Sequence, residues 1–283
     1  MPLVNWALLA ACVGLVVGFG SSANLAAAYG IAVTATMIIT SIMVAVVAAE
    51  QWRWSRPKVF GLIGAFLLIE LVFLAANVNK IPHGGWFPIL AALVVFFVMT
   101  TWRKGRGLLT DKIKRARQPM TALIASLARS GMPRTPGTAV YLFPDTGKVP
   151  PAFLANLRHN NAVHESVVFL AVVPAEVPRV PRARRDQVTH LGSRFFQVSL
   201  NYGFMEEPDV PTELRHLMAE VAFDPLHTTY FLGKEHLIPD PTQGMTGFRE
   251  RLFNFMHRNA RSAADYFKLP IDRVVEIGIP VEI

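Results

Sequence analysis

Glu70 is the strongest candidate for a chemically functional residue in the first third of the chain. It is the one charged residue in the otherwise apolar segment 59–78. A carboxyl group in such a segment is costly in lipid, and it usually faces a bundle interior or a water-filled cavity, where it relays protons or pairs with a cation. A protonated carboxyl that only bonds a neighbouring helix is the structural alternative. Both interpretations stay open from the residues alone.

Three further polar side chains lie on one face of the preceding apolar segment. Tyr29, Thr36 and Thr40 are spaced by seven and four residues, which places them on the same side of a helix. They are candidates for a polar path. The simpler interpretation is that the threonine hydroxyls bond back to the preceding turn.

The elements that would position these groups are four apolar segments, at about 3–20, 24–49, 59–78 and 86–101. The second is long enough to cross a hydrocarbon core of about 30 Å. Asn5 and its neighbours lack the positive charge of a secretory signal. The sequence therefore predicts transmembrane segments over 1–102.

The net charge of +8 on 283 residues is concentrated in one place. Residues 102–118 carry seven basic and one acidic side chain, whereas 119–283 carry equal numbers of each sign. With the basic loop 51–58, this asymmetry predicts that the N-terminus and the polar part are cytoplasmic. A polar part of zero net charge argues against a nucleic-acid partner.

The polar part predicts a basic juxtamembrane linker at 103–137 and a small cytoplasmic α/β domain at 138–283. Strand patterns alternate with helical ones there. The expected strands begin near Thr138, Val163, Phe195, Thr228 and Arg273, with one long helix over 248–267. The run 177–185 is expected to be an exposed loop, although Arg182, Arg184 and Arg185 could grip an anion.

Signals of catalysis are weak in this part. It has no glycine-rich phosphate loop and no nucleophile elbow, and its histidines lack metal-ligand spacing. The sequence therefore predicts no enzyme, no resident cofactor and no metal site. Because Cys12 is the only cysteine, a disulfide scaffold is excluded as well.

Several motifs together closely resemble the Kup/HAK/KT family of potassium-uptake transporters. The resemblance covers essentially the whole chain. Its most specific part is the pairing of Ala28-Tyr29-Gly30-Ile31-Ala32-Val33-Thr34 with Gly84-Gly85-Trp86-Phe87-Pro88. Further matches include Leu25-Ala26-Ala27, Tyr202-Gly203-Phe204-Met205-Glu206 and Val281-Glu282-Ile283.

This resemblance implies potassium uptake across the cell membrane by K⁺:H⁺ symport, with K⁺ and H⁺ as the transported ions. It also implies four C-terminal spans of a LeuT-like transporter, in which ions bind near the membrane midplane between broken helices. The first residues match the ninth span, so the family's main ion-binding spans would be missing partners of this chain. Glu70 stands where the family commonly has Asp.

Two classes of function remain. In the first, 1–102 is scaffold and gate within the lipid bilayer of the inner cell membrane, and 138–283 is a regulatory or dimerising domain, which allows a homodimer. In the second, the chain is a membrane-anchored cytoplasmic sensor. The family resemblance suggests a cyclic dinucleotide as the ligand of that sensor.

Overall fold

The structure, a computed structural model, describes residues 2–115, 120–221, 223–238, 245 and 247–282. Its chain forms two compact units, Met1–Thr100 and Thr101–Ile283. Arg117 of the basic stretch and Ile283 of the last motif lie outside the described residues.

The first unit is helical. Its helices are α1 (Pro2–Phe19), α2 (Ser22–Glu50), α3 (Arg56–Val78) and the first half of α4 (Trp86–Arg115), which is preceded by a kinked turn at Ile81–Gly85. Within the described part of the chain, three stretches are long and apolar enough to cross a membrane: Ser22–Glu50, Arg56–Val78 and Ile81–Lys112. Val4–Phe19 is a shorter apolar helix. The prediction of apolar membrane helices is confirmed at this level, and a fourth span stays a prediction.

Local chemistry explains where two of these helices begin. The Ser21 hydroxyl accepts a hydrogen bond from the Asn24 amide (3.2 Å), which satisfies one free N–H at the start of α2. Before α4, Gly84 has φ +132°, and a Cβ there would overlap the Asn24 carbonyl oxygen. A Cβ at Gly85 would lie 2.8 Å from the Ile31 side chain. The paired glycines therefore let this turn pack directly onto the start of α2.

The stretch predicted as a linker contains helical structure. α4 continues to Arg115, and α5 follows at Met120–Ser130. Leucine, lysine and arginine are good helix formers, and the buried side chains of Leu109 and Ile124 attach both helices to the second unit. A basic composition is thus compatible with helical structure in this stretch.

The second unit is built on a six-stranded sheet of order β3-β4-β2-β1-β5-β6, in which only β3 is antiparallel to its neighbour. The strands are β1 (Arg134–Leu142), β2 (Val163–Ala175), β3 (Asp186–Gly192), β4 (Phe195–Gly203), β5 (Thr228–Ile238) and β6 (Val274–Glu282). This confirms the predicted α/β domain after the apolar helices, whereas the LeuT-like arrangement stays a prediction.

Helices cover both faces of the sheet. They are α6 (Pro151–Asn160), α7 (Val210–His216), α8 (Met218–Val221), α9 (Gly247–Arg258) and α10 (Ala263–Tyr266). On one face Tyr141 stacks on Phe231 with ring centroids 4.6 Å apart, and on the other Val140 packs with Leu214. Neighbouring residues of β1 thus serve opposite cores, as the pleat requires.

The single long helix expected over 248–267 is wrong. α9 ends at Arg258, and α10 begins only at Ala263. Ser262 has extended backbone, and its hydroxyl accepts a hydrogen bond from the Ala264 amide (3.2 Å). A serine at this point favours the start of a new helix over the continuation of the old one.

Candidate functional site

Glu70 is buried between α2 and α3 of the first unit, with 7% of the residue exposed. The Ser41 hydroxyl donates a hydrogen bond to Glu70 Oε1 at 2.7 Å. The second carboxyl oxygen, Oε2, is buried and has no hydrogen-bond partner among the residues that the structure describes. Half of this carboxyl group therefore still has hydrogen-bonding capacity.

A second polar contact joins the same two helices. The Asn77 side-chain amide donates to Thr34 Oγ1 (3.4 Å) and to the Phe73 carbonyl oxygen (3.0 Å). Gly30 makes room for Asn77, because a Cβ at Gly30 would lie 3.1 Å from Asn77 Oδ1. The small residue thus allows the amide to approach α2.

The two contacts form a regular pair. Thr34 and Ser41 are seven residues apart on α2, and Asn77 and Glu70 are seven apart in the reverse order on α3. Seven residues are about two helical turns, or about 10 Å. The antiparallel helices are therefore joined by two polar contacts on one seam, which we name the α2–α3 polar seam: Thr34, Ser41, Glu70 and Asn77.

The other three predicted site residues lie off this seam. Tyr29 is 72% exposed. Thr36 and Thr40 are exposed, and their hydroxyls donate to the carbonyl oxygens of Ala32 and Thr36, each at 2.8 Å. At about 100° per residue, their face is about 130° around α2 from the seam. The structure therefore brings none of them to Glu70, and their role in transport stays a prediction.

The chemistry available to Glu70 follows from its neighbours. The apolar segments 24–49 and 59–78 contain no lysine or arginine. Within these two segments, the partner of the Glu70 carboxyl group is therefore a hydroxyl and not a cation. Ser41 and Asn77 were not singled out from the sequence. Only the register of α2 against α3 shows that they share a seam with Glu70.

The second unit contains a large cavity at the carboxyl ends of its parallel strands. Its volume is about 1240 Å³, and its lining includes Leu142 at the end of β1, Phe143 directly after it and Lys234 on β5. β1 and β5 are neighbours from which the chain winds outward in opposite directions. In open α/β sheets, ligands bind in the crevice at such a point.

The cavity carries charged and aromatic groups from several elements. Lys234 Nζ lies 2.6 Å from Glu276 Oε2, and the Arg261 guanidinium lies 5.8 Å from the centroid of the Tyr266 ring. His257 and Arg258 of α9 also line the cavity. Within the described ranges, no group of three or more His, Cys, Asp or Glu could hold a metal ion. The lining suits a ligand that carries negative charge.

Of the three arginines predicted to bind an anion in the run 177–185, Arg182 and Arg185 pair with carboxylates of the same unit. Arg185 Nη1 lies 3.0 Å from Glu213 Oε1, and Arg185 Nη2 pairs with Glu206. Arg182 Nη1 lies 3.2 Å from Glu213 Oε2. Arg184 is exposed. The predicted exposed loop is therefore partly held by ion pairs, and two of its candidate anion-binding side chains are used internally.

Comparison with known families matches both parts of the chain. Residues 1–107 match the model of the K⁺ potassium transporter integral membrane domain. Residues 136–283 match the model of the K⁺ potassium transporter C-terminal domain.

Curated relatives match over nearly all of the chain. A relative from Dechloromonas aromatica, named probable potassium transport system protein Kup 1, is 49% identical over 282 residues, which are 99% of this chain and 45% of the relative. Similar proteins named Kup from Myxococcus xanthus (45% identical, 100% of this chain, 44% of the relative) and Pseudomonas aeruginosa (46%, 99% and 44%) give the same result.

The chain spans less than half the length of these curated relatives. Their named function is transport, which is not an enzymatic activity. The matches to both domain models and the identity over the whole chain confirm the family resemblance. This chain belongs to the K⁺ potassium transporter family.

Proposed function

We propose that this chain takes part in potassium uptake across the cell membrane. The observation that carries the proposal is the identity of 45–49% to named potassium transport proteins over both the helical and the α/β parts. We further propose that α1 completes a fourth span. In this proposal the second unit lies in the cytoplasm beneath the inner membrane, and the helices belong to a LeuT-like arrangement.

The proposed mode is K⁺:H⁺ symport, with Glu70 as the proton-coupling residue. The buried Oε2 atom without a partner and the hydroxyl donor on Oε1 support this role. A carboxyl group in this setting can change its protonation as the surrounding helices move. Spans in the additional length of the relatives would supply the main potassium ligands.

A chimeric transporter tests the uptake proposal. This chain replaces the matched region of the Dechloromonas aromatica relative, and the chimera is expressed in cells without their own potassium uptake systems. We expect the chimera to restore growth at low potassium and rubidium uptake, whereas this 283-residue chain alone does not. A chimera that reaches the membrane but does not transport would overturn the proposal.

The same chimera tests the coupling role of Glu70. We expect Glu70→Gln to abolish the increase of uptake with external acidity, because an amide cannot take up a proton in this pH range. Glu50→Gln, at the end of α2, is the matched control and should keep the pH dependence. If Glu70→Gln keeps the full pH dependence, Glu70 is a structural residue.

A ligand-binding regulatory role of the α/β domain is the second candidate function. The cavity of about 1240 Å³ with its basic lining supports it. Binding of a cyclic dinucleotide, which the family resemblance suggests, can be measured by calorimetry on the full chain in nanodiscs. Arg261→Gln should weaken this binding. Absence of binding by the unsubstituted chain would exclude this ligand.

A further inference from the structure

One side of α9 is exposed and combines phenylalanine with arginine. Phe248 and Phe255 are 70% and 66% exposed, and Arg251 and Arg258 are exposed as well. At about 100° per residue these four side chains lie within about 80° of one another. Phe253, which is fully buried, points in the opposite direction. We call the four residues the outer face of α9; Arg258, at the edge of this face, also borders the cavity described above.

The opposite side of α9 is fixed to the segment of α4 that follows the apolar run. The Phe253 ring lies 5.6 Å from the Trp102 ring, and a Cβ at Gly105 would overlap Phe253. Phe253 and Leu109 are buried in one cluster with Val281. All of these residues belong to the unit Thr101–Ile283. The contact requires glycine at 105, so the position of α9 along α4 is specific.

Through Phe253, α9 packs against Trp102, a residue that the sequence predicts at the membrane surface. Tryptophan is enriched at the membrane–water interface, and Trp102 directly follows the apolar segment 86–101. Gly105 lies three residues further, which is about 4.5 Å along the helix. Side chains that extend outward from α9 are therefore candidates for contact with lipid headgroups.

We propose that the outer face of α9 binds anionic lipid headgroups and thereby anchors the α/β domain on the membrane surface. Its arginines bind lipid phosphates, and its phenylalanine rings enter the boundary with the acyl chains, as in interfacial amphipathic helices. The exposed side chains of Arg103, Lys104 and Arg106 on α4 add positive charge at the same level. Charge also disfavours a second copy as occupant, because two outer faces would oppose arginine with arginine.

Depth measurements on the full chain in nanodiscs test the proposal. Cys12, the only cysteine, is replaced by serine, and a spin label is attached through Phe255→Cys. In nanodiscs that contain phosphatidylglycerol, the label should collide more with oxygen than with a water-soluble nickel complex. In nanodiscs of phosphatidylcholine alone, the preference should reverse.

A label at Ile271→Cys is the matched control. Ile271 is 79% exposed and lies just before β6, at the end of the sheet remote from the Leu109–Val281 contact. It should be exposed to water in both lipid compositions. This control separates insertion of α9 from general adsorption of the domain.

A charge variant provides an independent measurement. Arg251→Gln should reduce the protection of 247–258 from hydrogen exchange by anionic lipid several-fold, whereas Arg184→Gln, in an exposed turn before β3, should not. Equal accessibility at 255 in both lipid compositions overturns the proposal. Dipolar coupling between the labels of two copies overturns the proposal and indicates a dimer. Protection of 247–258 from hydrogen exchange that does not depend on lipid also overturns it and indicates that another protein segment covers this face.

Discussion

Two glutamates of this protein are equally buried in very different surroundings. Glu70 in the first unit is 7% exposed, and Glu213 in the second is 6% exposed. Glu213 pairs with two arginines, whereas Glu70 accepts one hydrogen bond from a hydroxyl. Burial alone therefore does not distinguish the two carboxyl groups. The charge and number of their partners do, because Glu213 lies in an ion pair and Glu70 Oε2 has no hydrogen-bond partner among the described residues.

The two units that contain these glutamates also differ in how far their large apolar side chains are buried. The second unit buries large side chains on both sides of its sheet, among them Tyr141, Phe153, Leu200 and Leu214. Most long apolar side chains of the first unit are exposed, as suits helices surrounded by lipid or by other spans. In the first unit, polar contacts such as those of the α2–α3 polar seam therefore have a larger part in fixing which helix faces meet.

Loss of the ion pairs of Glu213 should give the largest effect on stability. Glu213→Gln leaves Arg185 and Arg182 with fewer charged partners, and the Arg185 side chain is only 17% exposed. We expect a loss of about 3 kcal/mol in the free energy of unfolding of the second unit, as for other broken buried pairs. Hydrogen exchange of β4 and α7 in the full chain under increasing urea measures it.

The matched control is the exposed pair of Lys234 with Glu276. These side chains are 59% and 39% exposed, so Glu276→Gln should cost less than about 1 kcal/mol. If the two variants cost the same, the contrast between buried and exposed pairs in this unit is wrong.

Acid should destabilise the second unit through Glu206. The backbone amides of Val180 and Gly203 donate to its carboxylate, and with Arg185 they hold the pKa of Glu206 below its ordinary value. The unfolded chain then binds more protons between the lowered and the ordinary pKa. The stabilisation is therefore complete above about pH 4.5 and is lost as pH falls through the lowered pKa.

Glu206→Gln tests this pH dependence. The variant should be less stable at neutral pH, and its stability should fall less steeply than that of the unsubstituted chain as the pH decreases below about 4.5. Thermal unfolding of both chains across this range measures the difference. Parallel pH profiles would contradict a charged role for Glu206.

Much of this architecture could be predicted, because the spacing of apolar residues and the positions of charged residues indicate which segments are buried. The apolar helices follow from runs too long for a soluble core, and β2 from a run of buried apolar residues. The edge strand β3 was missed because Asp186–Gly192 lies mostly exposed and lacks a continuous apolar pattern. The break between α9 and α10 depends on one serine cap, which a helical pattern of apolar residues conceals.

The candidate site could be predicted only in part, because the partners of Glu70 depend on how two helices pack. Glu70 is visible as a single charge in an apolar segment, but its partner Ser41 is identified only by the packing of α2 against α3. Spacing placed Tyr29, Thr36 and Thr40 on one face without showing whether another helix meets that face. The residue pattern of a single helix therefore does not predict which of its faces contacts another helix.

Two hydroxyl variants on α2 give the smallest and most specific effects. The Ser41 hydroxyl donates to Glu70 on another helix, whereas the Thr36 hydroxyl donates to the Ala32 carbonyl of its own helix. Polar contacts between membrane helices contribute about 0.6 kcal/mol on average. We expect Ser41→Ala to cost about this much and Thr36→Ser, which keeps a hydroxyl, to cost less.

Double-mutant cycles in bicelles measure these differences. Ser41→Ala and Glu70→Gln should be coupled, because each removes or alters the same hydrogen bond, whereas Thr36→Ser and Glu70→Gln should be additive. If Thr36 instead couples to Glu70 as strongly as Ser41 does, the polar path runs along the exposed face of α2. Glu70 would then have functional partners on the exposed face of α2 as well as Ser41, and its contrast with Glu213 would no longer depend on Ser41 alone.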